Sequence, residues 1–396
     1  MIISDSIKIQ NPKINNNKLL RVCLERDIPF VSYQMPAESE VTTLIQHLAY
    51  PRQLISVKDI TDTCGFVVAP FDESQSFPTL ILEPDYIHTG ALPVDEIIET
   101  LEKCNTFSVD NESCQPQHQA SRHEFIAQVE TIKQKIAEGV IHKVVLSRIT
   151  IDDKIDGVDL ITLFHALCQS YPAAFVYLLR IPGIGCWMGA SPEPLLLMEG
   201  DIAQTSSIAG TQLLGDTNIS DVVWKAKELD EQGIVTGYIE DVLKSFEVND
   251  FEKTGPNSYQ AANLVHLKTQ FDFDARLIKK QLGEFIDAFH PTPSVCGLPK
   301  IAAREIVLSV EKHNREYYSG FLGPVNLNNK TALFVNLRCM KVVAEGFAFF
   351  GGAGITKGSV PGKEWDEITH KFMTLRSFVN VVKTSPNPYE FSKTGS

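Results

Sequence analysis

The sequence predicts an α/β or α+β fold. Long stretches with apolar residues at helical spacing are interspersed with many short β-type runs. Hydrophobic residues make up 43% of the chain, ample for a large core.

The first clear element is a helix. Ser121-Arg122-His123-Glu124 matches a capping box, and Phe125, Val129, Ile132 and Ile136 follow at amphipathic spacing. Gly139 is placed to end it. Residues 144–149 then form a β-type run, and residues 175–180, 333–337 and 347–350 read as strands. Residues 222–246 and 299–311 read as helices. Periodicity does not settle strand direction. Residues 109–119 are polar and loop-like but bring no long linker, so one domain over 1–396 is expected. Its motif-rich part is 121–383, and 1–120 form its N-terminal part. The polar tail 384–396, with Pro386 and Pro388, is expected to be disordered.

Lys plus Arg number 36 and Asp plus Glu 49, a formal charge of −13. That argues against general binding to nucleic acid or anionic membranes, both of which want basic surface. A local pocket for an anionic small molecule is compatible with it. The eight cysteines form no C-x-x-C pair and no zinc-site spacing, so they read as reduced, mostly buried thiols. The N-terminus lacks a signal-peptide pattern, and no apolar run approaches the ~18 residues of a membrane span. A soluble, cytoplasmic protein is expected.

Several segments have the residue types that chemistry needs. In Glu364-Trp365-Asp366-Glu367-Ile368-Thr369-His370-Lys371, a helix places Glu364, Glu367 and Lys371 on one face. Two carboxylates in one turn suit a hard cation such as Mg²⁺; the same spacing also suits a solvated face with a Glu367–Lys371 ion pair. Glu231 falls in the apolar stripe of Val235, Tyr238 and Val242, where a carboxylate needs a partner or a metal. A position near a helix start is the alternative, since the dipole favours negative charge there. Lys143 opens a strand and shares a face with Val145 and Ser147; desolvated, it suits a general base, and at a strand edge it is an ordinary solvated ammonium. Glu193 sits in the small-residue and proline loop Gly189-Ala190-Ser191-Pro192-Glu193-Pro194, either projecting into a cleft or held in an ordinary turn. Residues 207–211, His266 and His290-Pro291-Thr292-Pro293 are small-residue or His-containing loops. Asn336-Leu337-Arg338 ends a strand with a cation suited to carboxylates. Neither Gly352-Ala353-Gly354-Ile355-Thr356-Lys357 nor Gly362-Lys363-Glu364 completes a nucleotide motif.

Taken together and in order, these segments resemble the chorismate-utilising enzymes, and among them most resemble isochorismate synthases. The matching pieces are Lys143 to Arg148, Gly189 to Glu193, Ile208 to Thr211, His290 to Pro293, Arg315-Glu316-Tyr317-Tyr318-Ser319-Gly320, Leu337-Arg338, and Gly352 to Ile355 running into Glu364 to Glu367. The resemblance implies two antiparallel-rich sheets packed face to face, helices outside, and a deep cleft for chorismate and Mg²⁺. It implies no obligate protein partner. Lys143 matches the base that activates water for attack at C2, and Glu193 the acid that protonates the departing C4 hydroxyl. Glu231 and Glu367 match direct Mg²⁺ ligands, and Glu364 one acting through water. Arg338 and Lys371 match carboxylate-binding positions, assisted by the Gly354 backbone, and Thr211 and His266 match positions lining the site.

Gln232, Gln212 and Lys268 depart from many relatives and bear on substrate positioning. Ammonia-using anthranilate and aminodeoxychorismate synthases generally lack a lysine at the position of Lys143. Salicylate synthases keep it and go on to eliminate pyruvate. A catalytically silent binding relative is the remaining alternative, and the filled acid, base and metal positions argue against it.

Overall fold

The computed structural model describes residues 12–73, 76–90, 94–104, 117–153, 158–214, 217–261, 264–344 and 346–384. The expected disorder of 385–396, most of the 109–119 loop, Cys114 and the first eleven residues lie outside them. Thr384 itself is the last residue of a helix, not part of a tail.

The N-terminal strands are β1 (Phe30–Gln34), β2 (Val41–Ile45), β3 (Arg52–Gln53), β4 (Gly65–Ala69), β5 (Leu80–Leu82) and β6 (Tyr86–Thr89). Then come β7 (Lys143–Asp153), β8 (Phe175–Ile181), β9 (Gly185–Ser191), β10 (Pro194–Glu199), β11 (Ile202–Leu213), β12 (Phe251–Ala261) and β13 (Leu264–Asp274). The last are β14 (Gly297–Leu298), β15 (Phe321–Val325), β16 (Lys330–Val335), β17 (Cys339–Val343) and β18 (Gly346–Ile355). The helices are α1 (Pro12–Glu25), α2 (Asp95–Lys103), α3 (Arg122–Ala137), α4 (Leu160–Ser170), α5 (Ala226–Ser245), α6 (Leu282–Phe289), α7 (Lys300–Val310) and α8 (Pro361–Thr384).

The strands form two nine-stranded sheets, ordered β14-β7-β18-β17-β9-β8-β1-β2-β6 and β12-β13-β11-β10-β16-β15-β4-β5-β3. Neighbours within each sheet run antiparallel, which settles the direction that periodicity left open. Strands from residues 30–89 extend both sheets, so the less readable N-terminal part completes the same two layers.

Alternation along the strands explains the layering. Tyr177 and Leu179 face the core between the sheets, whereas Val176 and Leu178 face the helices. A strand buried on both faces reads as an unbroken apolar run, which is why 175–180 was legible. Between the sheets Phe175 stacks on Phe334, with ring centroids 4.3 Å apart. Helices α3, α4 and α8 cover the first sheet through Phe125, Phe164 and Phe372, and α5 and α6 cover the second through Ile239 and Phe285.

The structure refines several local expectations. Ser121 caps α3 by accepting from the Glu124 amide, but Glu124 does not complete the box. Its carboxylate turns to His118 and Lys312 instead. The predicted helix 222–246 begins at Ala226; residues 219–221 form a separate 3₁₀ turn and 222–225 are not helical. Gly189, Ala190 and Ser191, read as part of a loop, belong to strand β9. Strand β16 stops at Val335, so Arg338 lies beyond its end at φ 48°. The seven described cysteines are free thiols, five of them buried. Among the described residues, no helix is long and apolar enough to cross a membrane.

Candidate active site

Strand β7 begins at Lys143, whose side chain is 1% exposed, so the solvated-ammonium alternative does not hold. A buried ammonium needs a counter-charge. Lys143 Nζ donates to Glu231 Oε1 at 2.8 Å, across from α5. That contact explains the carboxylate in the apolar stripe of α5, where Val235 and Val242 are buried. Glu231 sits more than a turn inside the helix, so the helix-start alternative fails too.

Strand β18 lies beside β7, pairing Gly354 with Val145. A Cβ built on Gly354 would stand 2.5 Å from Glu231 Oε1 and 3.2 Å from Lys143 Cε. Glycine is therefore needed for α5 and β7 to meet here. On the far side of β18, α8 realises the predicted spacing. Lys371 Nζ donates to Glu367 Oε1 at 2.7 Å and to the Gly352 carbonyl at 2.8 Å. The expected i, i+4 ion pair is real, but on a half-buried face that closes the site, not a solvated one.

Glu193 stands between β9 and β10, flanked by Pro192 and Pro194 and only 5% exposed. Its carbonyl accepts from the Val335 amide, and Ser191 Oγ donates to the Val335 carbonyl, fixing the loop against β16. Burial raises the Glu193 carboxyl to about 7; Ser294, Lys143, Lys371 and Arg338 each oppose that rise. A cleft-facing carboxyl with such a pKa is suited to donate a proton near neutral pH.

Arg338 is half-buried, and its guanidinium lies 3.4 Å from Thr374 Oγ1 and 3.4 Å from His266 Nε2. Burial, with the nearby Arg338 and Lys371 cations, pushes His266 down to about 3, so the ring is neutral. Its Nδ1 lies 3.0 Å from the Gly210 carbonyl and therefore carries the proton, which leaves Nε2 to accept from Arg338. His266 thus orients the guanidinium. Gly210, at φ 66°, interrupts the β11 ladder and lets β11 pass close to Glu228 of α5.

One cavity collects most of the expected residues. Glu193, Thr211, Glu231, His266, Arg338, Gly354, Glu367 and Lys371 all line it. Lys143 and Glu364 do not. Lys143 reaches the wall through Glu231, and Glu364 is buried one turn before Glu367. Gln232, Gln212 and Lys268 are not in the wall either. Gln232 donates to Ser207 and Thr269, Gln212 donates to the Val223 carbonyl, and Lys268 lies over the Tyr259 ring. Nor is His290, which is half-buried beside the Pro70 carbonyl and Phe321.

Two polar wall residues escaped the sequence reading. Glu228 lies one turn before Glu231, so α5 offers a Glu-x-x-Glu pair that mirrors Glu364-x-x-Glu367 on α8. The doubled motif was the available signal. Ser294 donates to Glu193 Oε1 at 2.5 Å, and only its place next to the His290–Pro293 loop hinted at it.

Three carboxylates, Glu228, Glu231 and Glu367, thus meet one cavity from two helices, with cationic Lys371 and Arg338 beside them. Among the described residues no three such side chains are drawn into a tight cluster, since Glu231 and Glu367 each lean on a lysine. The donor chemistry, all carboxylate oxygen, suits a hard divalent cation. The cations suit a substrate with carboxylates of its own.

Comparison with known proteins identifies the family of the chain. Residues 83–380 match the family described as "Chorismate binding enzyme". Anthranilate synthase component 1 of Methanothermobacter thermautotrophicus is 30% identical over 266 residues, which cover 64% of this chain and 56% of that one. The isochorismate synthase EntC of Escherichia coli is 29% identical over 245 residues, covering 59% of this chain and 61% of that one. The chain thus spans less than two thirds of the length of either relative. The fold is shared with MenF, the menaquinone-specific isochorismate synthase of Escherichia coli, at a TM-score of 0.67, with 19% identity and coverage of 89% of this chain and 88% of that one.

Proposed function

The chain belongs to the chorismate binding enzymes, and on that premise we propose that it converts chorismate to isochorismate with Mg²⁺. The observation that carries the reading is buried Lys143, held on the cavity-lining Glu231, with buried Glu193 in the wall of the same carboxylate-rich cavity.

Lys143 acts as the base. Its Nζ turns from Glu231 toward the cavity and removes a proton from a water that attacks C2 of the ring. Glu193 acts as the acid and protonates the C4 hydroxyl, which leaves as water. One water enters and one departs, one proton is taken and one given, so the net change is an isomerisation. The reset passes a proton from Lys143 back to Glu193. Burial favours the protonated form of Glu193 and so supports its role. Arg338, aligned by His266, and Lys371 bind the substrate's carboxylates.

Glu231 and Glu367 would hold Mg²⁺, with Glu228 beside them in the wall and Glu364 one turn before Glu367. When bound, the ion supplies positive charge for the ring carboxylate. With Glu231 turned to a cation, Lys143 would be left free of its carboxylate partner for its role as base. We expect EDTA to abolish turnover and Mg²⁺ to restore it. Full activity in a thoroughly chelated sample would contradict the ligand assignment.

Incubation with chorismate and Mg²⁺ followed by chromatography tests the product. Isochorismate is expected; salicylate with pyruvate would favour the eliminating reaction. The similarity to an anthranilate synthase component supports a second reading, an ammonia-dependent amination. Ammonium-dependent anthranilate formation would establish it, and Lys143 is the residue that weighs against it.

A further inference from the structure

Glu193 is built into a hydroxyl chain that bears on how it delivers a proton, an inference that rests on its proposed role as the acid. Thr292 and Ser294 lie between α6 and β14, in a turn closed by the Val295 and Cys296 amides on the Thr292 carbonyl. That turn is tied to the strand carrying Lys143. Strand β14 pairs with β7 at Leu298 and Lys143, and buried Arg315 donates to the carbonyls of both Val295 and Val145. The hydroxyl that holds the acid and the strand that carries the base are therefore mounted on one frame.

Ser294 Oγ donates to Glu193 Oε1 at 2.5 Å, and the Thr292 and Ser294 hydroxyls are 2.6 Å apart. A serine hydroxyl has one proton. With that proton on Glu193, the second contact must be Thr292 donating to Ser294. We propose that Thr292 and Ser294 form a donor chain that occupies Oε1 of Glu193, leaving Oε2 as the oxygen that carries and delivers the proton. Ser294 is then a positioning residue of the acid.

The chain also sets when Glu193 is charged. A donor on Oε1 favours the ionised carboxylate, and Ser294 is the strongest influence opposing burial. The other charges facing the site are Lys143 on β7, Lys371 and Glu367 on α8, and Arg338 after β16. Helix α5 adds Glu231 and Glu228, and His266 on β13 is neutral. An acid catalyst works only while protonated, so kcat/KM falls as pH rises through the Glu193 pKa, near 7. Removing the donor raises that pKa and moves the alkaline limb upward.

The test is the pH profile of kcat/KM for Ser294→Ala, Ser294→Thr and Thr292→Val. In parallel, ¹³C NMR titration of labelled glutamate carboxyls in the free proteins reads Glu193 directly, its signal assigned by its loss in Glu193→Gln. Ser294→Ala is expected to raise both the limb and the carboxyl titration by about one pH unit, a tenfold change in proton affinity. Thr292→Val should move them less in the same direction, and Ser294→Thr should leave them in place. A Glu193 titration unmoved by Ser294→Ala and Thr292→Val overturns the chain, even if KM rises. A shifted carboxyl titration with full turnover in Glu193→Gln keeps the hydroxyl chain and overturns the acid role of Glu193 instead.

Discussion

Lys143→Ala is expected to lower kcat with chorismate by on the order of 10²–10⁴, the usual cost of losing a general base. The residue is buried at the start of β7, and its amine is set between α5 and the glycine of β18. The substitution also leaves Glu231 without its lysine, but Glu231 borders the cavity, where water can reach it. The variant should therefore stay folded, with far-UV circular dichroism unchanged and only the thermal midpoint lowered. A folded variant with near wild-type kcat would remove Lys143 from the mechanism.

Glu193→Gln separates proton delivery from binding. A glutamine fills the same space and still accepts from Ser294, but it has no proton to give the C4 hydroxyl. A large loss of kcat is expected, with chorismate affinity within about tenfold, a change of about 1.4 kcal/mol. The reverse reaction should fail equally, because the same carboxylate must then act as base. The opposite pattern, lost binding with kcat retained, would make Glu193 a substrate-positioning residue and leave the acid elsewhere in the cavity.

Much of the site was legible because its residues break local rules. Glu231 stood out as a charge in an apolar stripe, and Glu364, Glu367 and Lys371 as a helical repeat of charge shortly after a glycine-rich run. Both patterns depend on neighbours within two turns, which a sequence displays. Glu228 broke no rule, since an acidic residue in a first helical turn is unremarkable on dipole grounds. Ser294 broke none either, because a serine in a loop is ordinary until its carboxylate partner, 101 residues away, is known. The burial of Lys143 was hidden for the same reason: its partner comes from another element brought in by folding.

The fold divides along similar lines. Phe125, Val129 and Ile132 marked α3, and the unbroken run of β8 marked a strand covered on both faces. Sheet order was not legible. Strand β1 pairs with β8 and β4 with β15, contacts between distant segments that no local pattern encodes. The short strands of residues 30–89 carry too few alternating positions to stand out, yet they extend both sheets.

The proposed chemistry turns on water being the nucleophile. Turnover of chorismate with Mg²⁺ in ¹⁸O-enriched water, read by mass spectrometry, tests this most directly. The expected product is isochorismate carrying one solvent oxygen, at C2, with the C4 oxygen lost to solvent. Isochorismate without the label, or an aminated product formed only when ammonium is present, would contradict it.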